Sequence, residues 1–221
     1  MSSPIESKLA SLSATDNLQY GGSFNHKLYQ NYPFPGLDHL PALRNNTQQR
    51  LDFLLKHLGD VKGKRLLDIG CANGALTLGM ARAGAKVHGV DTNADEIEFA
   101  CLAADVLGLP GNRFYLCNAL ALPLAVIDDI TIFLSVWKWM VRAHGFEAAN
   151  EALQNIADHT KLLIFESGIA DSGIDLIDFK KSQVEQLLHD HTSFKHIEMV
   201  GCFPRDSAHN VDREVWKCWN E

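Results

Sequence analysis

The chain has 221 residues, 46% of them hydrophobic and 21% charged, which suits one soluble globular domain with a short extension. Its formal net charge of -7 argues against an extensive nucleic-acid surface, and no apolar run approaches the ~20 residues that span a bilayer. Five scattered cysteines without a CxxC pair argue against a disulfide framework or a zinc site, and an N-terminus without an apolar leader points to the cytoplasm.

Residues 1–20 are rich in Ser, Thr and Asn and are expected to carry no element. The segment YGGSFNHKLYQNYPFPGLDHLPALRNN is punctuated by Gly and Pro and reads as a lid rather than part of a sheet. The division expected is thus a mobile N-terminal segment and lid over 1–47, and one folded domain over 48–221. Thr47 is placed to cap a helix through QQRLDFLLKHLG, with Gly59 as its stop.

Strand and helix then alternate. KRLLDIG, AKVHGVD, NRFYLCNA, DDITIFLSV and KLLIFESG read as strands. GALTLGMARAG, ADEIEFACLAADVLGL, GFEAANEALQNIADH and DFKKSQVEQLLHDH read as helices. In ADEIEFACLAADVLGL the spacing of Ile97, Cys101, Ala104 and Leu107 predicts the inward face. Two closing strands, FKHIEMVGCF and REVWKCWN, follow without a helix between them. The fold class is α/β, a Rossmann-like doubly wound sheet of seven strands, mostly parallel with an antiparallel C-terminal strand.

Ligands of such sheets sit at the carboxyl ends of the strands. LLDIGCANGALTL places Asp68, Gly70, Cys71, Asn73 and Gly74 there. Its glycines follow G-x-x-x-G, not the dinucleotide G-x-G-x-x-G, and Ala72 stands at the middle glycine. That counts against a pyrophosphate ligand and so against an NAD-dependent dehydrogenase. Asp91, followed by Thr92, ends the second strand and suits the two hydroxyls of a ribose, or the cap of the next helix. Asn118 and Ala119 end the third strand, where an adenine edge would lie; Asn118 is equally at home as a turn residue.

This pattern resembles the class I S-adenosylmethionine-dependent methyltransferases. The resemblance runs over about residues 48–219 and implies S-adenosyl-L-methionine as cofactor. The loop would hold the methionine part, Asp91 the ribose, and the 118–119 turn the adenine. Two further segments are similar to a narrower branch. Tyr29-Gln30, Arg44 and Gln49-Arg50-Leu51-Asp52, with Gly-Cys-Ala-x-Gly and Leu134-Ser135-Val136, resemble the methyltransferase domain of the kinase/methyltransferase that terminates bacterial polymannose O-antigen chains. Lys138-Trp139 is similar to RNA 5′-phosphate capping methyltransferases. Both families methylate a terminal phosphate. No kinase domain is expected in these 221 residues, and Trp137, Lys138, Trp139 and Arg142 replace most of the first family's histidines. The branch implies that Tyr29, Gln30, Arg50 and Ser135 meet the cofactor.

The stretch FLSVWKWMVRAHG carries the acceptor question. A phosphate monoester needs cations and no base, and Lys138, Arg142 and His144 are suitable donors. A hydroxyl must lose a proton, and His144 is then the natural base. The alternative is that Lys138 and Arg142 form a solvated helix face and that Trp137 and Trp139 are core or lid packing. His189, His191 and His196 suit a helix end running into a strand better than a metal set. Arg205, His209 and Arg213 fall in the polar turn of the last hairpin. The function expected is methyl transfer to an oxygen of a small or carbohydrate-linked acceptor, with a terminal phosphate favoured. The alternatives are a natural-product O- or N-methyltransferase and a non-catalytic S-adenosylmethionine-binding module. Oligomeric state is left open.

Overall fold

A computed structural model describes residues 2–12, 25–109, 111–168, 183–203 and 213–220. Seven strands form one sheet: β3 (Arg65–Ile69), β4 (Lys86–Asp91), β5 (Arg113–Leu116), β6 (Ile130–Leu134), β7 (Leu162–Glu166), β8 (His196–Phe203) and β9 (Arg213–Trp219). Their order is β5-β4-β3-β6-β7-β9-β8. The first five pair in parallel, and β9 lies antiparallel between β7 and β8. The closing hairpin is thus the antiparallel edge that the missing helix implied.

The central strands are apolar on both sides because helices cover both faces. Leu66, Ile130, Ile132 and Ile164 belong to one core, with α2 (Thr47–Leu58), α3 (Ala75–Arg82) and α4 (Ala94–Val106). Leu67, Ile69, Phe133 and Phe165 belong to the other, with α5 (Trp137–Asp158) and α6 (Val184–His191). Phe133 and Phe165 are neighbours in register, their rings tilted 57° at 5.8 Å, a favourable edge-on arrangement.

Chain order reverses at β3. The path runs from β3 to β4 and β5, then returns to β6 on the other side of β3. That switch point opens a crevice above the carboxyl ends of β3, β4 and β6. Only a single 3-10 turn, Ala119–Ala121, interrupts the crossover from β5 to β6.

The N-terminal region differs from expectation. Pro4–Ser11 forms helix α1, started by a capping box in which Ser3 Oγ accepts from the Glu6 N–H and Glu6 accepts from the Ser3 N–H. Ile5, Leu9 and Leu12 are buried, and Lys8 pairs with Asp95 and Glu98 on α4 at 2.6 and 2.7 Å. The segment read as a lid without a sheet element contains β1 (Leu28–Gln30) and β2 (Ala42–Arg44), which pair in parallel. Tyr32, Phe34 and Leu37 between them join the core.

Helix starts also shift. Thr47 is the first residue of α2, and its N–H donates to Asn31 Oδ1 at 3.2 Å. The Thr47 side chain therefore does not cap α2, and its own N–H is met by an asparagine from a distant segment. Gly59 ends α2 as expected, in the left-handed region at φ 69°. On α4 the inward face is Glu96, Phe99, Ala100, Ala103 and the expected Ala104, with Cys101 exposed. Gly74 explains the rotation, since a Cβ there would stand 2.8 Å from the Ala100 methyl. The small Ala100 side chain lets α4 press against the loop. Helix α5 begins at Trp137, eight residues before the expected start, and breaks its helical dihedrals at Gly145 (φ 86°, ψ 169°). WKWMVRAH is thus a short helix of its own.

Candidate functional site

A cavity of about 650 Å³ occupies the switch-point crevice. Its base is the loop after β3. Gly70 turns there at φ 76°, and its N–H and that of Cys71 both donate to the Val90 carbonyl on β4, at 2.8 and 3.0 Å. Ala72 also takes a left-handed φ of 48°, unusual for a residue with a side chain. Asp91 explains how it is held: its carboxylate accepts from the Ala72 N–H and the Asn93 N–H, each at 2.9 Å. Asp91 does not cap α4. Asn93 does, accepting from Asp95 and Glu96.

Most of the residues singled out in the sequence meet at this cavity. Asp68, Gly70, Cys71, Asp91 and Thr92 line one side, and Asn118 and Ala119 close one end. Asn118 Oδ1 also accepts from the Leu120 N–H at 3.0 Å, so it is a turn residue as well. Tyr29, Gln30 and Arg50 reach in from the N-terminal strands and α2, and Ser135 and His144 from the end of β6 and from α5.

Four residues stand elsewhere. Asn73 is fully buried behind the loop, where its amide donates to the Gln30 carbonyl at 2.7 Å and its own carbonyl accepts from the Tyr32 hydroxyl. It ties the N-terminal segment to the loop. Gly74 starts α3 and packs on Ala100 and Phe114. Lys138 is buried off the cavity, its ammonium donating to the Gly168 carbonyl at 2.9 Å. Arg142 is exposed, its guanidinium 5.7 Å from the Trp139 ring centre. Of the three candidate catalytic side chains, His144 alone lines the cavity. Arg205 and His209 lie outside the described residues, and Arg213 is buried beside Glu166.

The wall also contains residues not counted among the candidate site residues, although Arg44 and Trp139 stand in the segments that carry the resemblance. Arg44 ends β2, lines the cavity and donates to the Tyr29 hydroxyl at 2.9 Å. Its alternation with Ala42 was the available signal. Trp139 and Met140 give the wall beyond Ser135 an apolar surface. Among the described residues no cluster of His, Cys, Asp or Glu is arranged for a metal, and no helix is long and apolar enough to cross a membrane.

Burial governs the electrostatics. The Asp68 carboxyl is pushed up to about 6 by desolvation, against the Thr77 hydroxyl and Arg50, which favour its anion. Asp91 is raised for the same first reason. Desolvation, then Arg44 and Arg213, bring Arg50 down to about 9. Burial pushes the Cys71 thiol well up, which keeps it protonated and unreactive.

S-adenosyl-L-methionine fits these donors. Arg50 is 3% exposed, and its Nε has no hydrogen-bond partner among the described residues, as befits a place for a carboxylate. The Asp91 carboxylate, with two of its lone-pair directions engaged, has others for hydroxyl donors.

A family profile described as a methyltransferase domain matches residues 60–163. The O-antigen chain terminator bifunctional methyltransferase/kinase WbdD of Escherichia coli is 27% identical over 154 residues, 64% of this chain and 22% of that protein. A ubiquinone biosynthesis O-methyltransferase of Alkalilimnicola ehrlichii is 46% identical over 55 residues, 25% of this chain and 22% of its own length. The chain thus spans about a quarter of the curated relatives it matches. A WbdD crystal structure superposes with a TM-score of 0.66 at 23% identity, over 88% of this chain and 45% of that one. Magnesium protoporphyrin IX methyltransferase from Synechocystis PCC 6803 with bound SAM gives 0.62 at 21% identity, over 79% of this chain and 80% of that one. The family profile marks a methyltransferase domain over residues 60–163, and the sheet order with the loop at its switch point has the fold of the solved methyltransferases.

Proposed function

We propose that the protein transfers a methyl group from S-adenosylmethionine to a hydroxyl oxygen of a small or carbohydrate-linked acceptor. One observation carries this reading. The wall at the β6–α5 junction is made of Ser135, Trp139, Met140 and His144, while Lys138 and Arg142 stand off the cavity. An apolar wall with one imidazole suits an organic hydroxyl better than an isolated dianion. The cofactor supplies an electrophilic methyl, and the protein's task is to set the acceptor oxygen about 3 Å from it and exclude water. Trp139 and Met140 shape and dry that space, and His144 takes the hydroxyl proton. The Asp91 carboxylate binds the ribose, Asn118 and Ala119 border the adenine, and Tyr29, Gln30 and Arg50 hold the amino-acid end.

A second reading rests on a different observation. Arg44 and Arg50 both line the cavity and are more than nine-tenths buried. They are the cations a terminal phosphate would meet, in place of Lys138 and Arg142.

The test measures S-adenosylhomocysteine formed from 3,4-dihydroxybenzoate and from mannose 1-phosphate. Turnover of the hydroxyl probe that is lost in His144→Ala supports the first reading. Turnover confined to the phosphate and lost in Arg44→Met moves the assignment to the second. Tight S-adenosylmethionine binding with no turnover across a wide acceptor panel assigns the chain to cofactor binding without catalysis.

A further inference from the structure

Glu166 ends β7 and is 1% exposed, and no step of the proposed reaction uses it. Three features tie it to the cavity. The Ser135 hydroxyl donates to Glu166 Oε1, and the Ser135 N–H donates to the Glu166 carbonyl at 2.8 Å. Ser135, which lines the cavity, is held at φ 60°, a left-handed conformation that costs a residue with a Cβ of order 1 kcal/mol or more. Gly168 makes the approach possible: a Cβ there would stand 3.0 Å from Ser135 Cα and Cβ. A strained serine held at two points by one residue, through its backbone carbonyl and its buried carboxylate, is a costly arrangement to keep for packing alone.

Its chemistry is directional. Arg213 Nη1 lies 3.9 Å from the same Glu166 oxygen, with both side chains almost fully buried, and so sets a guanidinium beside the carboxylate. An ionised Glu166 takes the Ser135 proton as a hydrogen bond. Ser135 Oγ then turns only lone pairs toward the cavity, made more electron-rich by the charge behind them. Such a group accepts from a donor, and best from a cation.

The donor is set by position. A Cβ on Gly70 would meet Val136 Cγ2 at 2.2 Å, so the loop proposed for the methionine part abuts the residue after Ser135. Arg50, on the same cavity, supplies the carboxylate partner. Asp68 is a weaker partner for an ammonium there, because burial makes its anion unfavourable.

We propose that Glu166, acting through Ser135, is a positioning residue that selects a cofactor carrying an α-ammonium group. The proposal rests on the cofactor placement above. It assigns the amino end of the methionine part to Ser135 Oγ and gives Glu166 the countercharge.

The experiment is calorimetric and needs no acceptor. S-adenosylhomocysteine, which has the ammonium, and 5′-methylthioadenosine, which lacks the amino-acid head, are titrated into wild type, Glu166→Gln and Ser135→Gly. The glutamine keeps the shape and removes the charge. The glycine removes the hydroxyl and relieves the left-handed strain, so a loss of binding there is not a loss of folding. Both variants are expected to weaken S-adenosylhomocysteine about tenfold, the scale of a charge-assisted hydrogen bond, and to leave 5′-methylthioadenosine unchanged. Equal weakening of both ligands, or of neither, overturns the proposal. Weakening in Glu166→Gln alone overturns the route through Ser135. A wild type that binds neither ligand overturns the cofactor placement instead, and the proposal with it.

Discussion

The Lys138 ammonium donates to the Gly168 carbonyl at 2.9 Å, on the segment that follows β7. A lysine expected to grip the substrate thus fastens the end of one central strand to the helix after its neighbour. Burying an ammonium is tolerable only because hydrogen-bonding partners receive it. Lys138→Met is therefore expected to destabilise the fold by roughly 1–3 kcal/mol, since it leaves a buried carbonyl without its donor. Arg142→Met, at an exposed position, is expected to shift stability by less than about 0.5 kcal/mol. Urea midpoints of the two variants check the contrast. Equal midpoints would show that Lys138 has no structural role.

Gly70 has a similar demand placed on it by Val136. A Cβ at Gly70 would enter the Val136 side chain at 2.2 Å, and φ there is 76°. Gly70→Ala must either push back the β6–α5 junction, with Ser135 on it, or flatten the loop. Loss of at least about 2 kcal/mol of stability is expected, from overpacking and left-handed strain together. S-adenosylhomocysteine binding should fall with it, and Val136→Ala in the same chain should recover part of both. Thermal unfolding and calorimetry of the single and double variants decide this.

The loop and Asp91 were legible because each is a local signal. A strand ending in Asp68, a glycine at each end of a short loop and an acid at the next strand end occupy about two dozen consecutive residues. Arg44 and Trp139 were legible only as part of a resemblance, and Glu166 not at all, because their place in the site depends on which strands become neighbours. Glu166 meets Ser135 only because β7 pairs with β6, and Arg44 enters the cavity only because β2 pairs with β1. The capping box of Ser3, Pro4 and Glu6 was readable and was outweighed by the polar composition around it. His144 and Lys138 lie on one short helix, and their opposite fates follow from the break at Gly145 and the packing of Trp137, which composition does not reveal.

Asp91 joins two tasks, holding the loop and, in the proposed function, holding the ribose. Asp91→Ala removes the acceptor of the Ala72 and Asn93 N–H groups as well as the ribose partner. S-adenosylhomocysteine is expected to bind about a hundredfold more weakly, roughly the loss of two hydrogen bonds to a charged group. Asp91→Asn keeps one carbonyl oxygen and should fall between the two. Calorimetry with adenosine as well as S-adenosylhomocysteine separates the ribose contribution, because adenosine should lose a similar factor.

Asp68 makes stability depend on pH in a direction opposite to that of most carboxylates. Its folded value, about 6, lies above the ordinary aspartate value of 3.8, so the folded state holds a proton on Asp68 where the unfolded chain has lost it. Below about pH 4 both states are protonated and the group's contribution is fully present. As pH rises toward 6 the unfolded state gains by ionising first, and the contribution is lost, by about 3 kcal/mol for a difference of roughly two units. Asp68→Asn removes this titration while its amide oxygen still accepts from Thr77. The variant should therefore gain on wild type as pH rises from 4 to 6.5 and hold a constant lead above that. Urea unfolding across this range measures the difference. A lead that shrinks with rising pH would mean that Arg50 and Thr77 outweigh desolvation, and that Asp68 is an ordinary ionised partner of the arginine.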